Sequence, residues 1–594
     1  PAAEPFFAAT PAHPRGVAAR RRYRWGMGRV VDYWDEVLIN DGPTGPVALD
    51  EDSALLATLR ASRSPRMRDV LGTIAADQDA IIRADSHGTL VVDGGPGTGK
   101  TVVALHRAAY LLYADPRLGG NRGRLLVIGP HQPYLAYISD VLPGLGEEGV
   151  QTATLTDLVP EGATATVESD PAVARIKAGL DPLDVIDRAA AFYEAPPREP
   201  LLVETPWDEV TLTADDWARA FDAPDSGTPH NEARDAIWNE LTEIIADGHD
   251  ASVDLSALRK ALAQNRSLQR AVGRSWPVLD APTLVGDLWS VPAFARLCAP
   301  GLSREEISLV QRADPTAWTR ADLPLLDAAH ARLGDPGFSR RQREREARLA
   351  ADRAEMDDVV THLLHAHTYD DGEGLASMLR QEDLREVLVD EAAVERRDPD
   401  LLAGPFAHIV VDEAQELTAA EWSMVLSRCP SRSLTVVGDR AQARHGFAES
   451  WVERLEDVGL RDIRVTHLTL NYRTPEEIMA AAAPVIRAAL PDANVPTSIR
   501  TAGIDVTYGG IAGLAGIVDG WLATHDSGIA CVIGDSTYVP PSRRVRSLPA
   551  EQVKGLEFDL VVLARPDDFG TGVTGAVDRY VAMTRATQQL VVLT

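Results

Sequence analysis

The chain has few lysines, few cysteines and no long apolar run. Lysine occurs four times in 594 residues, at Lys100, Lys177, Lys260 and Lys554, and arginine supplies the other fixed positive charges. No apolar stretch approaches the roughly 18 residues of a membrane-spanning helix, which argues against an integral membrane protein of that kind. Three widely separated cysteines argue against a disulfide framework or a cysteine-based metal site. They favour a reducing cytoplasm.

Positive charge is also scarce overall, because the formal net charge is −29. Proteins that hold nucleic acid mainly through its phosphates usually carry a basic face. The acidic balance therefore disfavours such a protein, although a basic groove could still exist. It favours a basic protein partner or a surface that competes with nucleic acid. Generic solubility accounts for the charge equally well.

Short runs of Val, Leu and Ile recur along the chain, and each is followed by a polar loop. Continuous apolarity predicts strands buried on both faces, as in parallel sheets. Helical patterns lie between the runs, so the predicted fold class is α/β. The runs are Thr89–Val92, Leu125–Ile128, Ile409–Val411, Leu434–Val437, Ala530–Ile533, Leu560–Leu563 and Leu590–Leu593.

The runs form two clusters, which predict two lobes with a large, mostly helical insertion in the first. We expect an N-terminal segment packing on the first lobe over residues 1–65, the first lobe over 66–160 and 385–455, the insertion over 161–384, and the second lobe over 456–594. The Arg20–Arg22 run could touch phosphate, but a turn is the preferred interpretation. The chain begins at Pro1 without a visible secretory leader and stops at Thr594 inside an apolar run, so we expect missing terminal segments.

A glycine-rich loop between a strand and a helix matches the full G-x-x-x-x-G-K-[ST] pattern, which is typical of phosphate-binding loops. Backbone N–H groups would cradle the phosphates of ATP, and the helix N-terminus would add its dipole. Lys100 would reach the β- and γ-phosphates, and the Thr101 hydroxyl would bind Mg²⁺. Gln78, upstream, could read the adenine edge. The loop residues are Gly94, Gly95, Pro96, Gly97, Thr98, Gly99, Lys100 and Thr101.

Two carboxylates follow the run Ile409–Val411. In phosphate-loop enzymes the aspartate at a strand end holds Mg²⁺, which assigns Asp412 to the metal. The adjacent Glu413 is placed to orient and deprotonate the attacking water. A second run, Leu434–Val437, is followed by Gly-Asp-Arg-Ala-Gln, in which Gln442 could sense the γ-phosphate.

At these residues the chain resembles superfamily 1 helicases of the UvrD/Rep type, which have two RecA-like P-loop NTPase lobes. The segment Asn471-Tyr-Arg-Thr-Pro475 is similar to the family's fourth motif, and implies that Tyr472 stacks on adenine and Arg473 reaches the γ-phosphate. Val553-Lys-Gly-Leu-Glu-Phe-Asp559 is similar to the fifth, with Glu557 on the ribose. Tyr580-Val-Ala-Met-Thr-Arg-Ala586 is similar to the sixth, with Arg585 as a second arginine finger.

The chain also departs from those helicases. The region Ile128–Tyr134 lacks the Thr/Asn-rich form that helps grip single-stranded DNA, and Phe447 stands where a base-stacking Trp is usual, which predicts a weakened stacking platform. The segment between Arg473 and Lys554 is too short for the large duplex-handling domain.

These departures fit the HelD family of helicase-like ATPases, which the chain resembles at Pro1–Phe7, Leu90–Tyr113 and Gly129–Ile138. The resemblance implies binding to bacterial RNA polymerase, as a monomer in the nucleoid, and release of polymerase from nucleic acid. It also implies an N-terminal arm, absent here, and makes the insertion an arm for the polymerase's primary channel. Scarce lysine and abundant alanine suggest an actinobacterial type.

Two alternatives remain open at this level. One is a DNA translocase or helicase acting in repair, and the other is a nucleotide-gated binding protein whose hydrolysis is incidental. Acidic clusters in the insertion could replace displaced phosphates in polymerase, although a solvated surface loop is slightly preferred for any one cluster. The clusters are Asp335, Asp357-Asp358 and Asp370-Asp371-Gly372-Glu373.

Overall fold

The computed structural model describes residues 19–26, 29–37, 76–115, 117–118, 125–138, 150–249, 253–345, 347–348, 351, 402–444, 447, 449–491 and 493–594. In chain order the strands are β1 (Ala19–Gly26), β2 (Arg29–Val37), β3 (Thr89–Gly94), β4 (Leu125–Ile128), β5 (Val150–Ala153), β6 (Leu201–Glu204), β7 (Glu209–Leu212), β8 (His408–Val411), β9 (Leu434–Gly438), β10 (Ile463–Leu468), β11 (Leu470–Asn471), β12 (Thr497–Ser498), β13 (Thr507–Gly509), β14 (Ala530–Ile533), β15 (Val545–Leu548), β16 (Phe558–Ala564) and β17 (Ala586–Leu593).

Helices alternate with most of these strands. They are α1 (Ala76–Ile82), α2 (Lys100–Ala114), α3 (Gln132–Ile138), α4 (Pro171–Ala178), α5 (Pro182–Ala191), α6 (Ala214–Phe221), α7 (His230–Asp247), α8 (Leu255–Leu262), α9 (Arg266–Ser275), α10 (Ala281–Ser290), α11 (Pro292–Cys298), α12 (Arg304–Val310), α13 (Leu323–Leu333), α14 (Ala419–Ser427), α15 (Trp451–Asp457), α16 (Glu476–Ala489), α17 (Leu514–Thr524) and α18 (Gly572–Met583). Within the described ranges, none of the helices is both long and apolar enough to span a bilayer.

The first sheet contains six parallel strands in the order β10-β3-β9-β8-β4-β5. Its four central strands are buried along their whole length. Neighbouring residues on a strand point to opposite faces, so Val436 joins one apolar core while Val437 joins another. Helices must therefore cover both faces, and α2 packs on one of them.

The second sheet contains five parallel strands in the order β13-β17-β16-β14-β15. On one face, α16 and α18 pack against a core that includes Val561 and Leu563. On the other face, α17 contributes Val518 and Trp521 to a core with Val562. The prediction of an α/β chain with parallel sheets is confirmed.

All seven predicted apolar runs are strands of these two sheets. The runs did not include β10, β5, β13 and β15, which are the four edges of the sheets. An edge strand has a neighbour on one side and is partly open to solvent, so it needs less apolar sequence. The exposure of β5 and β13 agrees with this, since most of their residues are not buried.

Two local predictions need correction. The second lobe was expected over residues 456–594, but β10 at Ile463–Leu468 pairs with β3 and belongs to the first sheet. The change of sheet therefore comes after Leu468. The Arg20–Arg22 run was interpreted as a turn, whereas it lies in β1, which pairs antiparallel with β2. The other residues of the predicted N-terminal segment, 1–18, 27–28 and 38–65, lie outside the described residues.

The described part of the predicted insertion is mainly helical, from α4 to α13, with one small hairpin of β6 and β7. It has two cores. Ile186, Trp289 and Leu326 share a core with the first sheet. Trp217 and Ile237 belong to a separate core that includes the hairpin. Part of this region is thus packed on the sheet and part stands apart from it.

A buried ion pair joins this helical region to the first sheet's helices. Arg428, which follows α14, donates to both carboxylate oxygens of Asp327 on α13, at 2.9 and 2.6 Å. It also donates to the carbonyl oxygen of Leu158 at 3.0 Å. The two side chains are 9% and 11% exposed. A buried charge without its partner is strongly destabilising.

Asp327→Asn should therefore lower the free energy of unfolding by about 3 kcal/mol, the lower end of the range for a broken buried pair, because Arg428 keeps its carbonyl partners. The measurement is a urea unfolding titration monitored by tryptophan fluorescence. Asp184→Asn is the matched control, since its pair with Arg188 is about half exposed and solvent screening should leave the stability almost unchanged. Equal shifts for the two variants would contradict a structural role for the buried pair.

Candidate active site

The glycine-rich loop lies between the fully buried β3 and the start of α2. Gly97 and Gly99 have φ values of +74° and +83°, a region that favours glycine. The Thr98 hydroxyl and the Lys100 ammonium both donate to the carbonyl oxygen of Gly95, at 2.9 and 3.0 Å. The loop thus combines backbone amides, the N-terminus of a helix and a lysine. Together these groups favour the binding of an anion.

Gln78 on α1 lies against this loop rather than at a distance from it. Its side chain is buried, and its amide nitrogen donates to the carbonyl oxygen of Thr98 at 3.1 Å. In this arrangement the donor of the amide supports the loop backbone. The predicted reading of the adenine edge would require this donor to be shared or released.

Asp412 directly follows β8, beside the carboxyl end of β4. Its backbone N–H donates to the carbonyl oxygen of Ile128 at 2.9 Å, and its Oδ2 accepts the hydroxyl of Thr101 at 2.7 Å. Burial, and next the neighbouring Glu413, raise the pKa of Asp412. Hydroxyl and carboxylate oxygens are ligands that Mg²⁺ prefers. The two predicted metal ligands therefore meet, and a divalent cation would relieve the cost of burying this carboxylate.

Glu413 has a backbone φ of +54°, unusual for a residue with a side chain. Its Oε2 accepts the amide of Gln415 at 2.6 Å. Burial alone would raise the pKa of Glu413, but the positive charges of Lys100, Lys554 and Arg585 outweigh it and lower the pKa. The carboxylate is therefore ionised at neutral pH, the form that accepts a hydrogen bond from water.

The Gln442 amide links a carboxylate of the first sheet to an arginine of the second. Its nitrogen donates to Asp439 at 2.6 Å, and its oxygen accepts from Arg585 at 3.0 Å. Burial raises the pKa of Asp439 to about 6. A change at Arg585 would be transmitted through this amide, so the position suits the predicted sensing role.

The turn at residues 471–474 packs directly against the phosphate loop. The Tyr472 N–H donates to the carbonyl oxygen of Gly97 at 3.0 Å. The side-chain amide oxygen Oδ1 of Asn471 accepts hydrogen bonds from the backbone N–H groups of Arg473 and Thr474, each at 2.9 Å. A Cβ at Gly97 would lie 2.0 Å from that Asn471 oxygen, so no side chain fits there. The buried Asn471 amide nitrogen has no partner among the described residues and is a donor suited to a phosphate oxygen.

The two predicted arginine fingers lie close together. Arg473 donates to Glu557 at 2.6 Å, so this carboxylate, predicted to bind ribose, holds the guanidinium. Burial, and next the charge of Arg473, lower the pKa of Arg585 to about 10. Both arginines are positioned by the segments around the second sheet, whereas Lys100, Asp412 and Glu413 follow strands of the first.

Some residues at the site were not assigned from the sequence. Tyr134 donates its hydroxyl to Asp412, and Lys554 forms a close ion pair with Glu416 across the sheets. Gln415 supports Glu413. Tyr134 could have been anticipated, because its segment follows β4, and β4 is the neighbour of β8, the strand that Asp412 directly follows. The pairing of Lys554 with Glu416 had no local signal.

Two further predictions concern residues outside the nucleotide site, namely Phe447 and the acidic clusters of the insertion. Phe447 is buried, with Trp451 at 4.7 Å between ring centroids and the Arg454 guanidinium 4.3 Å from its ring centroid. The prediction of a base-stacking platform is therefore wrong, because other side chains cover the ring. In the insertion, Asp335 is ion-paired with Arg341. The clusters at 357–358 and 370–373 lie outside the described residues.

Comparison with known proteins adds a match at the N-terminus. Residues 1–53 match the family model described as DNA helicase IV HelD, N-terminal domain. No curated protein matches the chain. The solved PRRSV helicase aligns at 17% identity over 31% of this chain and 34% of its own, with a TM-score of 0.20.

Arterivirus nonstructural protein 10, a helicase, aligns at 16% identity alone and 17% in its complex with DNA, with TM-scores of 0.20. Each alignment covers 32% of this chain and 39% of that protein. The chain thus spans little more than a third of these helicases, too little to bear on its own activity.

Proposed function

We propose that the chain is an ATP-hydrolysing, superfamily 1 helicase-like motor of the HelD kind, in which the two sheets are RecA-like lobes. We further propose that it binds bacterial RNA polymerase in the cytoplasm and releases it from nucleic acid. The observation that carries the ATPase proposal is the meeting of Thr101, Asp412 and Glu413 from one sheet with Arg473 and Arg585 from the other. The polymerase proposal rests on the motif resemblance and on the match over residues 1–53.

In this proposal the phosphate loop binds the triphosphate through its amides and Lys100. Thr101 and Asp412 would hold Mg²⁺, which neutralises phosphate charge when bound. Glu413 orients a water against the terminal phosphate and accepts its proton at the carboxylate. Arg473 and Arg585 stabilise the charge that develops as the phosphate–oxygen bond breaks.

The structure also supplies a reason why hydrolysis would depend on lobe closure. Arg585 reaches Gln442 only while the two sheets are adjacent, and Lys554 pairs with Glu416 across the same interface. Opening the interface would withdraw both arginines from the phosphate loop. Hydrolysis would then alternate with separation of the lobes, as a motor requires.

The purified protein should hydrolyse ATP in a Mg²⁺-dependent reaction and should retain core RNA polymerase on a pull-down column. Unwinding of short-tailed DNA should be weak, because the duplex-handling domain is missing. Lys100→Ala is the control for the ATPase assay, since it removes the phosphate contact. If the wild-type protein did not hydrolyse ATP, the ATPase proposal would be refuted. Failure to retain polymerase, together with processive unwinding, would favour the repair helicase.

A further inference from the structure

Tyr134 on α3 is almost completely buried, with 1% of its surface exposed. Its hydroxyl donates to Oδ2 of Asp412, the same oxygen that accepts the Thr101 hydroxyl. Two hydroxyl groups therefore fix the orientation of one carboxylate. Thr101 and Asp412 are the proposed metal ligands, and the Tyr134 hydroxyl lies beside both of them without being assigned to the metal itself.

The Tyr134 ring is enclosed by glycines from both lobes. A Cβ on Gly129, in its own loop, would lie 2.7 Å from ring carbon Cδ1. A Cβ on Gly555, which belongs to the second lobe, would lie 2.5 Å from Cδ2. Gly555 also has a φ of +74°. No side chain fits at either position while the ring stays in place, so Gly555 forms one wall of the ring's pocket.

His131 makes a second link between the same two segments. Its Nδ1 accepts the backbone N–H of Tyr134 at 3.1 Å, so Nδ1 carries no hydrogen. The hydrogen of the neutral ring is then on Nε2, which lies 3.1 Å from the carbonyl oxygen of Lys554 and donates to it. The residue before Gly555 is therefore tied to the turn that begins α3.

We propose that Tyr134 is a positioning residue through which the second lobe sets the geometry of the metal-binding carboxylate. This inference rests on the proposed function. With the lobes closed, Gly129 and Gly555 leave the ring one position, and the hydroxyl holds Asp412 toward Thr101. When the second lobe withdraws, the ring loses the Gly555 wall and the carboxylate is held less firmly. Metal binding is then strongest in the closed lobes.

Tyr134→Phe keeps the ring and removes the hydroxyl, so it tests this proposal with the least disturbance. The measurement is binding of a fluorescent, non-hydrolysable ATP analogue across a series of Mg²⁺ concentrations. Half-saturating Mg²⁺ should rise about tenfold, the low end of what loss of a hydrogen bond to a metal ligand costs. Affinity for the analogue in EDTA should be unchanged. A shift of less than twofold would overturn the proposal.

Gly555→Ala tests whether the second lobe acts through Tyr134. The added methyl should displace the ring and raise half-saturating Mg²⁺ in the wild-type background, but not in the Tyr134→Phe background. Gly503→Ala is the matched control, because Gly503 has a φ of +66° and nothing within 4 Å. Independent, additive effects of the two substitutions would refute the coupling.

The outcomes also separate this inference from the function on which it rests. A wild type whose analogue binding does not respond to Mg²⁺ would refute the assignment of Thr101 and Asp412 to the metal. A wild type that responds, with a Tyr134→Phe variant that responds identically, would refute the positioning role and leave the ATPase proposal standing.

Discussion

Glu413→Gln is expected to lower the turnover of ATP by about 10²- to 10⁴-fold while ATP still binds. The change removes the negative charge that accepts the proton of water, and it leaves the phosphate loop untouched. Glu413 suits this role because Lys100, Lys554 and Arg585 keep its pKa low despite its burial. Gln415 also holds one carboxylate oxygen, so the side chain has a defined orientation.

Single-turnover hydrolysis and equilibrium binding of the ATP analogue, measured on the same preparation, separate these two effects. Glu449→Gln is the control, since this carboxylate is 41% exposed and pairs with Arg454 away from the phosphate loop. Turnover in the control should match the wild type. If Glu413→Gln also retained wild-type turnover, a different group would be activating water.

The local elements of this site could be predicted because each is encoded within a few neighbouring residues. The phosphate loop needs glycines at fixed offsets, and its lysine and threonine follow at once. Asp412 and Glu413 end an apolar run, and the carboxyl ends of parallel strands lie at one edge of a sheet. The sequence was therefore sufficient to predict that Thr101 and Asp412 lie at the same edge. Their Oγ1 and Oδ2 atoms are 2.7 Å apart.

Contacts between distant segments could not be predicted in the same way. Arg473 and Glu557 are 84 residues apart in the chain, and nothing near either residue indicates that they pair. The same is true of Lys554 and Glu416, which form an ion pair across the two sheets. Such pairs depend on how segments distant in the chain pack together, and that packing is decided by the sum of many apolar contacts rather than by a motif.

The wrong predictions concern Phe447 and β10, whose surroundings are decided by tertiary packing. Phe447 was predicted to form a weakened base-stacking platform, but Trp451 and Arg454 cover its ring. The strand β10 falls within the range predicted for the second lobe, 456–594, but it pairs with β3. It is the edge strand of the first sheet, and most of its residues are only partly buried.

Substitutions of Arg473 and Arg585 are expected to have the largest effect on ATP turnover. Arg585 is buried beside Arg473, and this burial with a like charge lowers its pKa to about 10, although Glu413, Glu557 and Asp439 act in the opposite direction. Arg585 remains charged at neutral pH, so two guanidinium groups are held close together at the site. An anion such as the terminal phosphate, in which charge grows during bond breaking, would complete the site.

Arg585→Ala and Arg473→Ala should therefore each reduce ATP turnover by about 10³- to 10⁵-fold, as loss of an arginine finger does in phosphoryl transfer. Affinity for the ATP analogue should fall much less, because the phosphate loop and Lys100 remain. Arg546→Ala, an exposed position on β15, controls for loss of positive charge from the second lobe and should leave turnover unchanged. Because Arg585 is buried, circular dichroism must first show that its variant is folded, and Arg473, which is less buried, provides the independent case. Equal losses in binding and turnover would show that these arginines hold the lobes together rather than stabilise the departing phosphate.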